Sequence, residues 1–111
     1  MKIQLFQFHV AYGNTEENET KITNWFNEYI DDDTNVVVLP EMWNNGYALE
    51  ELEDKADISL KRSFPFISQL AKEFNVDIVA GSVSNIKNEN VYNSAFSINK
   101  DGELINEYDK V

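Results

Sequence analysis

The chain has 111 residues, of which 42% are hydrophobic and 13% aromatic, a composition typical of one globular domain and not of a disordered segment. Its 20 acidic and 9 basic residues give a formal net charge of −11, which argues against binding to nucleic acid or to an anionic membrane surface. It contains no cysteine, so it forms no disulfide and offers no thiol nucleophile. The longest apolar run, Val36 to Leu39, is too short to cross a bilayer, and the first residues lack the apolar core of a signal peptide. The sequence therefore predicts a cytoplasmic protein.

The first part of the chain predicts two strands separated by an amphipathic helix. Alternating residues from Lys2 to His9 predict a largely buried strand. Asn14 is placed to cap the next helix, and Glu17 completes a pair like that of a capping box. The run from Asn35 to Leu39 predicts an interior strand, which Pro40 ends because it cannot donate to a ladder. The helix carries apolar residues at the spacing of one face, namely Ile22, Trp25, Phe26, Tyr29 and Ile30.

The second part predicts a short helical turn, a second helix and three strands. The turn falls within Leu49 to Asp57, and the helix covers Phe66 to Asn75 with Pro65 in its first turn. A polar connection over Ile86 to Asn90 separates the first two strands, and a hairpin turn with Gly102 separates the last two. The three strands are Val76–Val83, Val91–Ile98 and Glu103–Tyr108. This order of elements predicts an α/β domain with a mixed sheet.

Glu41 is the first residue that could take part in chemistry. It follows the C-terminal end of a buried strand directly, at the edge of an α/β sheet where ligands gather. Next to Met42 and Trp43, its carboxylate would be partly withdrawn from water, a condition that suits a general base. An ordinary acidic residue at a strand end is the commoner alternative and stays open at this point. Trp43 and Tyr47 could line a substrate pocket or could pack in the core and at its rim, and the pattern does not decide between the two.

Lys110 is the second candidate, although an isolated lysine is most often a solvated surface charge. His9 has neither a cysteine nor a second histidine with which to form a metal site or a triad, so a hydrogen-bonded structural role is the better interpretation. The acidic run Asp31 to Asp33 lacks the ligand spacing of a calcium loop, which favours a solvated helix end. The chain also lacks a glycine-rich phosphate loop. The sequence therefore predicts no metal and no cofactor.

Several segments, by their order and spacing, resemble the nitrilase superfamily of carbon-nitrogen hydrolases. The segment from Val36 to Tyr47 is similar to the family's glutamate motif, and Tyr108 to Val111 is similar to its lysine motif. The segments between them resemble the family's path from one motif to the other, and they are Asp77–Ser84, Tyr92–Phe96 and Asp101–Gly102. The resemblance covers the whole chain. It looks closest to the branch that acts on ω-amides of short oxo- or dicarboxylic acids.

The resemblance implies the N-terminal part of an α-β-β-α sandwich, with residues 1–111 as the N-terminal portion of a single carbon-nitrogen hydrolase domain. Members hydrolyse a small amide to an acid and ammonia with a Glu-Lys-Cys set. Glu41 corresponds to the general base of that set, and Lys110 corresponds to its catalytic lysine. The family's cysteine follows the lysine motif and is missing here. We therefore expect these residues alone to be inactive and to leave apolar strand faces uncovered.

The resemblance further implies a small-molecule amide as the substrate and a homo-oligomer for the full-length form, without a nucleic-acid or membrane partner. Two other interpretations stay open. One is a non-catalytic α/β domain that binds a ligand or another protein, and the other is a shortened homologue without a function. The amidase interpretation requires Glu41 and Lys110 to face one cleft, whereas a binding domain would leave them as unrelated surface residues.

Overall fold

The computed structural model describes residues 1–46 and 55–110 of the chain. Within these ranges one sheet of six strands has the order β1-β2-β4-β5-β6, and β3 pairs with β4 beside this path. The strands are β1 (Ile3–Leu5), β2 (Val36–Val38), β3 (Asp57–Ile58), β4 (Asp77–Lys87), β5 (Asn90–Ile98) and β6 (Leu104–Lys110). The helices are α1 (Thr15–Tyr29) and α2 (Ser63–Phe74).

The sheet is mixed, as the sequence predicted. Strands β1, β2 and β4 run parallel, and Val36 pairs with Ile3 on one side and with Asp77 on the other. Strand β5 is antiparallel to β4, and β6 is antiparallel to β5, so the last three strands form a meander. The predicted interior position of β2 is confirmed. Its three valines suit that position, because branched side chains pack well on a pleated surface between neighbours.

Both helices pack on one face of the sheet and enclose a single hydrophobic core. Helix α1 contributes Ile22 and Phe26, and α2 contributes Ile67, all without exposed surface. The rings of Phe26 and Phe74, one from each helix, have centroids 5.4 Å apart. The predicted apolar face of α1 is confirmed except at Tyr29, which ends the helix and is exposed. The strand residues at the centre of this core are Val37, Ile78, Ala80, Val83 and Ile98.

Helix α1 begins where its capping pattern predicted. The Asn14 side chain accepts a hydrogen bond of 3.0 Å from the backbone N–H of Glu17. The helix ends before the acidic run, and the carboxylates of Asp31 and Asp33 form ion pairs with the Lys2 ammonium. The run is therefore a solvated helix end, as predicted.

The second face of the sheet carries no helix within the described residues, and we call it the helix-free face. It exposes Ile3, Leu5, Val79 and Tyr108, whose exposed fractions are 55%, 67%, 43% and 68%. The register aligns Leu5 and Val79 on either side of Val38, so apolar side chains lie next to one another across three strands. The expectation of an uncovered apolar strand face is confirmed for this part of the chain.

Two predicted strand boundaries were wrong because tertiary contacts decide them. Strand β1 ends at Leu5 and not at His9, since its partner β2 also ends and Phe6 stacks on Trp25 instead, with ring centroids 4.4 Å apart. Strand β4 continues to Lys87, through part of the predicted polar connection. The reason is that β4 stays paired with β5 as far as Lys87, which lies opposite Asn90, and the two residues between them form a tight turn with φ 50° and 70°.

Helix α2 begins earlier than predicted, at Ser63. The carboxylate of Asp57 accepts hydrogen bonds from the backbone N–H groups of Arg62 and Ser63, which lie 5 and 6 residues after it, and so caps the helix. Pro65 lies in the first turn, as predicted. The helical turn predicted within Leu49 to Asp57 lies largely outside the described residues. Its last residue, Asp57, belongs to β3, a strand that the sequence did not predict.

Candidate active site

Glu41 begins a tight turn at the C-terminal end of β2. The backbone N–H of Leu39 donates a hydrogen bond of 2.9 Å to the Val79 carbonyl, and Pro40 has no N–H with which to continue the ladder. Met42 then takes a left-handed conformation with φ 52° and turns into the core, whereas the side chain of Glu41 stays 54% exposed. Met42 and Trp43 therefore do not withdraw the carboxylate from water, and that part of the sequence-based expectation is wrong.

The turn that follows Glu41 is held to β4 by buried hydrogen bonds. Ser82 accepts two of them, one on Oγ from the Met42 N–H at 3.0 Å and one on its carbonyl from the Trp43 N–H at 3.1 Å. The indole N–H of Trp43 donates to the carbonyl of Ala80 at 2.7 Å. Because these groups are buried, opening the turn would leave them unpaired at about 1–3 kcal/mol each. The backbone of the neighbouring strand thus fixes where Glu41 stands.

Asn44 continues this attachment by a two-way hydrogen bond with Ser84. Its Oδ1 accepts from the Ser84 N–H at 2.9 Å, and its Nδ2 donates to the Ser84 carbonyl at 3.0 Å. Asn45 donates to the Ser84 hydroxyl at 3.0 Å, and Asn18 of α1 donates to the Asn44 carbonyl at 2.9 Å. The sequence-based interpretation missed this network. The sequence signal that could have revealed it is the set of polar residues Ser82, Ser84 and Asn85 inside a strand that is otherwise largely apolar, because buried polar groups must find partners.

Gly81 lets β4 pass directly against the end of β2. It has φ 61° and lies in a bulge between Val79 and Ser82. A Cβ atom on Gly81 would lie 2.1 Å from the carbonyl oxygen of Pro40 and 2.6 Å from that of Leu39. Only glycine fits this approach, so the start of the turn depends on it.

Lys110 is the last residue of β6, the edge strand of the sheet. The strand follows a hairpin turn in which Gly102 has φ 83°, as predicted. The preceding residue, Asp109, accepts hydrogen bonds from the Ser94 hydroxyl at 2.6 Å and from the Lys87 ammonium at 2.9 Å. Since Ser94 is buried beneath the helices, Asp109 points to the helix side. Successive strand residues point to opposite faces, which places Lys110 on the helix-free face.

We call the hydrogen-bonded group of Asp109, Ser94 and Lys87 the anchor of β6, and its contacts shift the pKa values of its two charged residues. The hydrogen bond from Ser94, and after it that from Lys87, lowers the pKa of Asp109 below its ordinary value. Hydrogen bonds to Glu107 and then to Asp109 raise the pKa of Lys87. Both members of the Lys87–Asp109 pair are 28% exposed, so solvent screens part of their attraction. At neutral pH the anchor is fully charged, and it holds the end of β6 in register.

Glu41 and Lys110 meet on the helix-free face. The Lys110 Nζ donates to Oε1 of Glu41 in an ion pair, and the two side chains are 43% and 54% exposed. Strand β5 lies between their elements, and its Asn93 pairs in register with Lys110 on one side and with Ser84 on the other. The structure therefore brings the two sequence-predicted catalytic candidates into contact on one surface.

The ion pair combines the two functions that acyl transfer from an amide requires. A carboxylate can accept a proton from a nucleophile, and a fixed ammonium can stabilise the negative charge that develops on a carbonyl oxygen. Partly exposed ion pairs are also common structural features. The geometry makes this chemistry possible, and the roles themselves depend on the family to which the chain belongs.

The other sequence-predicted residues lie elsewhere. Trp43 has no exposed surface and packs against Phe66 with ring centroids 5.7 Å apart, so it contributes to the core. Tyr47 lies outside the described residues. His9 is exposed, and its backbone carbonyl accepts a hydrogen bond of 2.8 Å from the Lys21 ammonium. That bond does not involve the imidazole, so the predicted structural role of the His9 side chain is not supported.

A cavity of about 370 Å³ lies at the N-terminal ends of the two helices and is separate from the ion pair. Neither Glu41 nor Lys110 belongs to its described lining, which includes Thr15, Asn44, Lys55, Asp57 and Arg62. Within residues 1–46 and 55–110, no cluster of His, Asp or Glu side chains is arranged to hold a metal ion. In the same ranges, no helix combines the length and the apolar character needed to cross a membrane.

The chain matches a known family over nearly its whole length. The sequence model of the carbon-nitrogen hydrolase family matches residues 2–111. The chain therefore belongs to the carbon-nitrogen hydrolase family, within the nitrilase superfamily, and the resemblance stated from the sequence is confirmed.

Two relatives show how much of a family member this chain represents. It is 58% identical over 111 residues to a protein of Staphylococcus aureus described as a hydrolase in the agr operon, covering 100% of this chain and 42% of that protein. It is 39% identical over 108 residues to the 2-oxoglutaramate amidase of Bacillus subtilis, covering 97% of this chain and 41% of that enzyme. The chain thus spans about two-fifths of the length of these relatives.

The fold agrees with that of a solved family member. A Saccharomyces cerevisiae protein, a member of branch 10 of the nitrilase superfamily, superimposes with a TM-score of 0.81 at 30% identity. The match covers 100% of this chain and 44% of the yeast chain. The predicted fold class, the N-terminal part of a nitrilase-like α/β fold with a mixed sheet, is confirmed.

Proposed function

We propose that this chain supplies the general base and the lysine of a carbon-nitrogen hydrolase that converts a small amide into an acid and ammonia. The observation that carries the proposal is the ion pair between Glu41 and Lys110. These two residues correspond to the glutamate and the lysine of the family's Glu-Lys-Cys set. Family membership supports the type of reaction, and the contact supports a shared site for the two residues.

In the first half of the proposed reaction, Glu41 acts as the general base. A cysteine thiol passes its proton to the carboxylate, and the sulfur forms a bond to the amide carbonyl carbon. Negative charge develops on the carbonyl oxygen, where the ammonium of Lys110 stabilises it. The carbon–nitrogen bond then breaks, Glu41 returns the proton to the leaving nitrogen, and ammonia departs.

In the second half, the acyl group is bound to the cysteine as a thioester. Glu41 takes a proton from water, and the water oxygen forms a bond to the carbonyl carbon. The carbon–sulfur bond breaks, the sulfur recovers the proton, and the acid is released. Glu41 is therefore protonated twice in each cycle, while Lys110 keeps its charge throughout.

The proposal needs a cysteine, and none of the 111 residues is one. The cysteine comes from the remainder of a single carbon-nitrogen hydrolase domain, of which residues 1–111 form the N-terminal portion. The greater length of the relatives supports this division, since 58% and 39% identity extend over only 42% and 41% of their chains. Residues 1–111 alone are therefore expected to hydrolyse no amide.

The proposed substrate is an ω-amide of a short oxo- or dicarboxylic acid. The identity of 39% to a 2-oxoglutaramate amidase supports this class, together with the segment from Pro40 to Tyr47. The site would act in the cytoplasm without a cofactor and without nucleic-acid or membrane partners, and the net charge of −11 supports the exclusion of nucleic acid. A homo-oligomeric full-length form follows from the family resemblance.

One observation favours a second function, namely binding without catalysis. The chain contains no cysteine, and an α/β domain without a nucleophile can still bind a small ligand or another protein. In that case the ion pair would be a structural or ligand-binding feature.

The test uses the protein as its own cell makes it, characterised by intact mass and by ammonia release. The substrates are ω-amides of short dicarboxylic and oxo acids, with amides of monocarboxylic acids as controls. We expect a mass above 12.8 kDa and saturable ammonia release that a thiol alkylating reagent abolishes. A protein of 12.8 kDa that binds one of these amides in calorimetry without releasing ammonia would instead support the second function. Ammonia release by a protein without any cysteine would contradict the Glu-Lys-Cys assignment.

A further inference from the structure

Asn93 has an unusual polar atom. Among residues 1–46 and 55–110, its Oδ1 is the one side-chain polar atom that is buried without a hydrogen-bond partner. Most buried polar side-chain atoms in folded proteins are paired, because an unpaired one loses its hydration without compensation. The exception at Asn93 therefore calls for an explanation.

The register places Asn93 beside the ion pair. Asn93 lies in β5, directly opposite Lys110 of β6 on one side and Ser84 of β4 on the other. Directly opposed residues of antiparallel strands share a face, with Cβ atoms about 5 Å apart. Asn93 thus lies on the helix-free face, between the strand that carries Lys110 and the turn that carries Glu41.

Neighbouring amides show that the unpaired atom is specific to this position. Asn44 and Asn45 both bond to Ser84, and Asn85 bonds to Ser94 and to the backbone N–H of Leu60. These amides have hydrogen-bond partners, although all three are more deeply buried than Asn93. Among the residues that the structure describes, the amides around Asn93 are thus paired while its own acceptor is left open.

We propose that Asn93 is a positioning residue for Lys110, whose ammonium donates a hydrogen bond to Asn93 Oδ1 while Glu41 is protonated. This inference rests on the proposed function, in which Glu41 gains a proton twice in each cycle. A protonated carboxyl is neutral and holds an ammonium far less strongly than a carboxylate does. A neutral amide oxygen beside Lys110 keeps the ammonium in place without cancelling the charge that the oxyanion needs.

The charged groups near Asn93 are compatible with this change of hydrogen-bond partner by the Lys110 ammonium. On the helix-free face, Lys110 lies opposite Asn93 in register and forms its ion pair with Glu41. Asp109 and Lys87 belong to the anchor on the helix side, where they are bound to each other. Protonation of Glu41 therefore changes the charge that the Lys110 ammonium meets on the helix-free face, while the anchor stays in place.

The test measures the side-chain ammonium of Lys110 by ¹⁵N NMR in the protein expressed from its own gene. Spectra are recorded above and below the pH at which the Glu41 carboxyl titrates, as followed by its ¹³C shift. In the wild type we expect the ammonium protons to stay protected from exchange at both pH values. In Asn93→Ser, whose side chain is too short to reach, we expect protection above the titration and at least a tenfold faster exchange below it.

Two further variants make the result specific. Asn93→Asp keeps an acceptor of the same shape and should keep the Lys110 ammonium protected from exchange at both pH values. Asn106→Ser removes an asparagine from the same face of β6 and should leave the exchange as in the wild type. Equal exchange in wild type and Asn93→Ser at low pH would overturn the proposal. Loss of protection in Asn93→Ser at both pH values would also overturn it, since that result indicates a purely structural role.

The kinetic consequence is separable from the NMR result. If the protein is an amidase, Asn93→Ser should lower kcat about tenfold or more and leave KM within about threefold, because the contact forms only in protonated states of the cycle. If the protein shows no amidase activity but Asn93→Ser speeds ammonium exchange only at the lower pH, the proposed function fails and the positioning role of Asn93 stands.

Discussion

Glu41 and Lys110 are 69 residues apart in the chain, and their side chains form an ion pair on the helix-free face of the sheet. Glu41 follows the end of β2 and Lys110 ends β6, with β4 and β5 between these two strands. The position of one relative to the other therefore depends on every strand pairing from β2 to β6. A change that disturbs one of these pairings should separate the two side chains without altering either.

Gly81→Ala tests the pairing closest to Glu41. The added Cβ would lie 2.1 Å from the carbonyl oxygen of Pro40, and φ at this position is 61°. Both the clash and the left-handed backbone oppose the substitution, so we expect the free energy of unfolding to fall by more than about 2 kcal/mol. Urea denaturation followed by tryptophan fluorescence measures this change, because Trp43 bonds to the same stretch of β4.

Gly102→Ala is the matched control for Gly81→Ala. Gly102 also has a positive φ, of 83°, but the three atoms nearest to its added Cβ belong to side chains, the Oγ of Ser68 and the stem of Lys72. Side chains can move aside more easily than a backbone carbonyl, so its loss of stability should be smaller. Equal losses in the two variants would show that backbone conformation alone matters and that the close approach to Pro40 does not.

Asp109→Asn tests the anchor beneath Lys110. The folded protein lowers the pKa of Asp109, so the charged carboxylate stabilises the fold above its ordinary pKa, and this stabilisation is lost as the pH falls through the lowered value. Near neutral pH we expect the variant to be less stable by about 1 kcal/mol, a value that allows for solvent screening. The difference from the wild type should shrink as the pH falls below the ordinary value of 3.8.

Denaturant titrations at several pH values measure this effect, with Asp101→Asn as the control. Asp101 lies in the exposed hairpin turn. Its substitution should therefore change stability little at any pH. A destabilisation by Asp109→Asn that stays constant down to strongly acidic pH would show that the anchor acts by packing and not by charge.

The exposed apolar residues of the helix-free face predict self-association of residues 1–111 when they are expressed alone. Leu5 and Val79 are 67% and 43% exposed and lie on one face, and burying such surface yields about 25 cal/mol per Å². Sedimentation velocity should show a concentration-dependent increase in mass, which Leu5→Lys reduces. Tyr29→Lys, at an exposed residue of α1, should leave it unchanged. A monomer at all concentrations would rule this prediction out.

Local signals in the sequence predicted much of the fold. The cap at Asn14, the interior strand ended by Pro40 and the hairpin with Gly102 each depend on neighbouring residues, and the structure contains all three. The errors arose where contacts outside an element decide its ends. Asp57 caps α2 through the backbone N–H groups of Arg62 and Ser63, and β4 stays paired with β5 as far as Lys87.

The sequence was sufficient to predict which residues form the candidate site, but not the strand pairings and buried hydrogen bonds that position them. Motif order singled out Glu41 and Lys110, but their contact depends on strand pairings between distant segments, which periodicity does not specify. The expected withdrawal of Glu41 from water was wrong, since its side chain is 54% exposed while the next residue, Met42, is buried. Nor does periodicity reveal the buried hydrogen bonds of Asn44, since its partner Ser84 is 40 residues away.

The most direct test of the central claim compares kcat/KM for an ω-amide in four forms of the protein expressed from its own gene. The forms are the wild type, Glu41→Gln, Lys110→Met and the double variant. If the ion pair is part of the catalytic site, each single variant should lose about 10³-fold or more, and the double variant should lose little beyond that, since catalytic residues that act as a unit are not additive. A single variant that retains kcat/KM within about threefold of the wild type would contradict the assignment of Glu41 and Lys110 to the catalytic site.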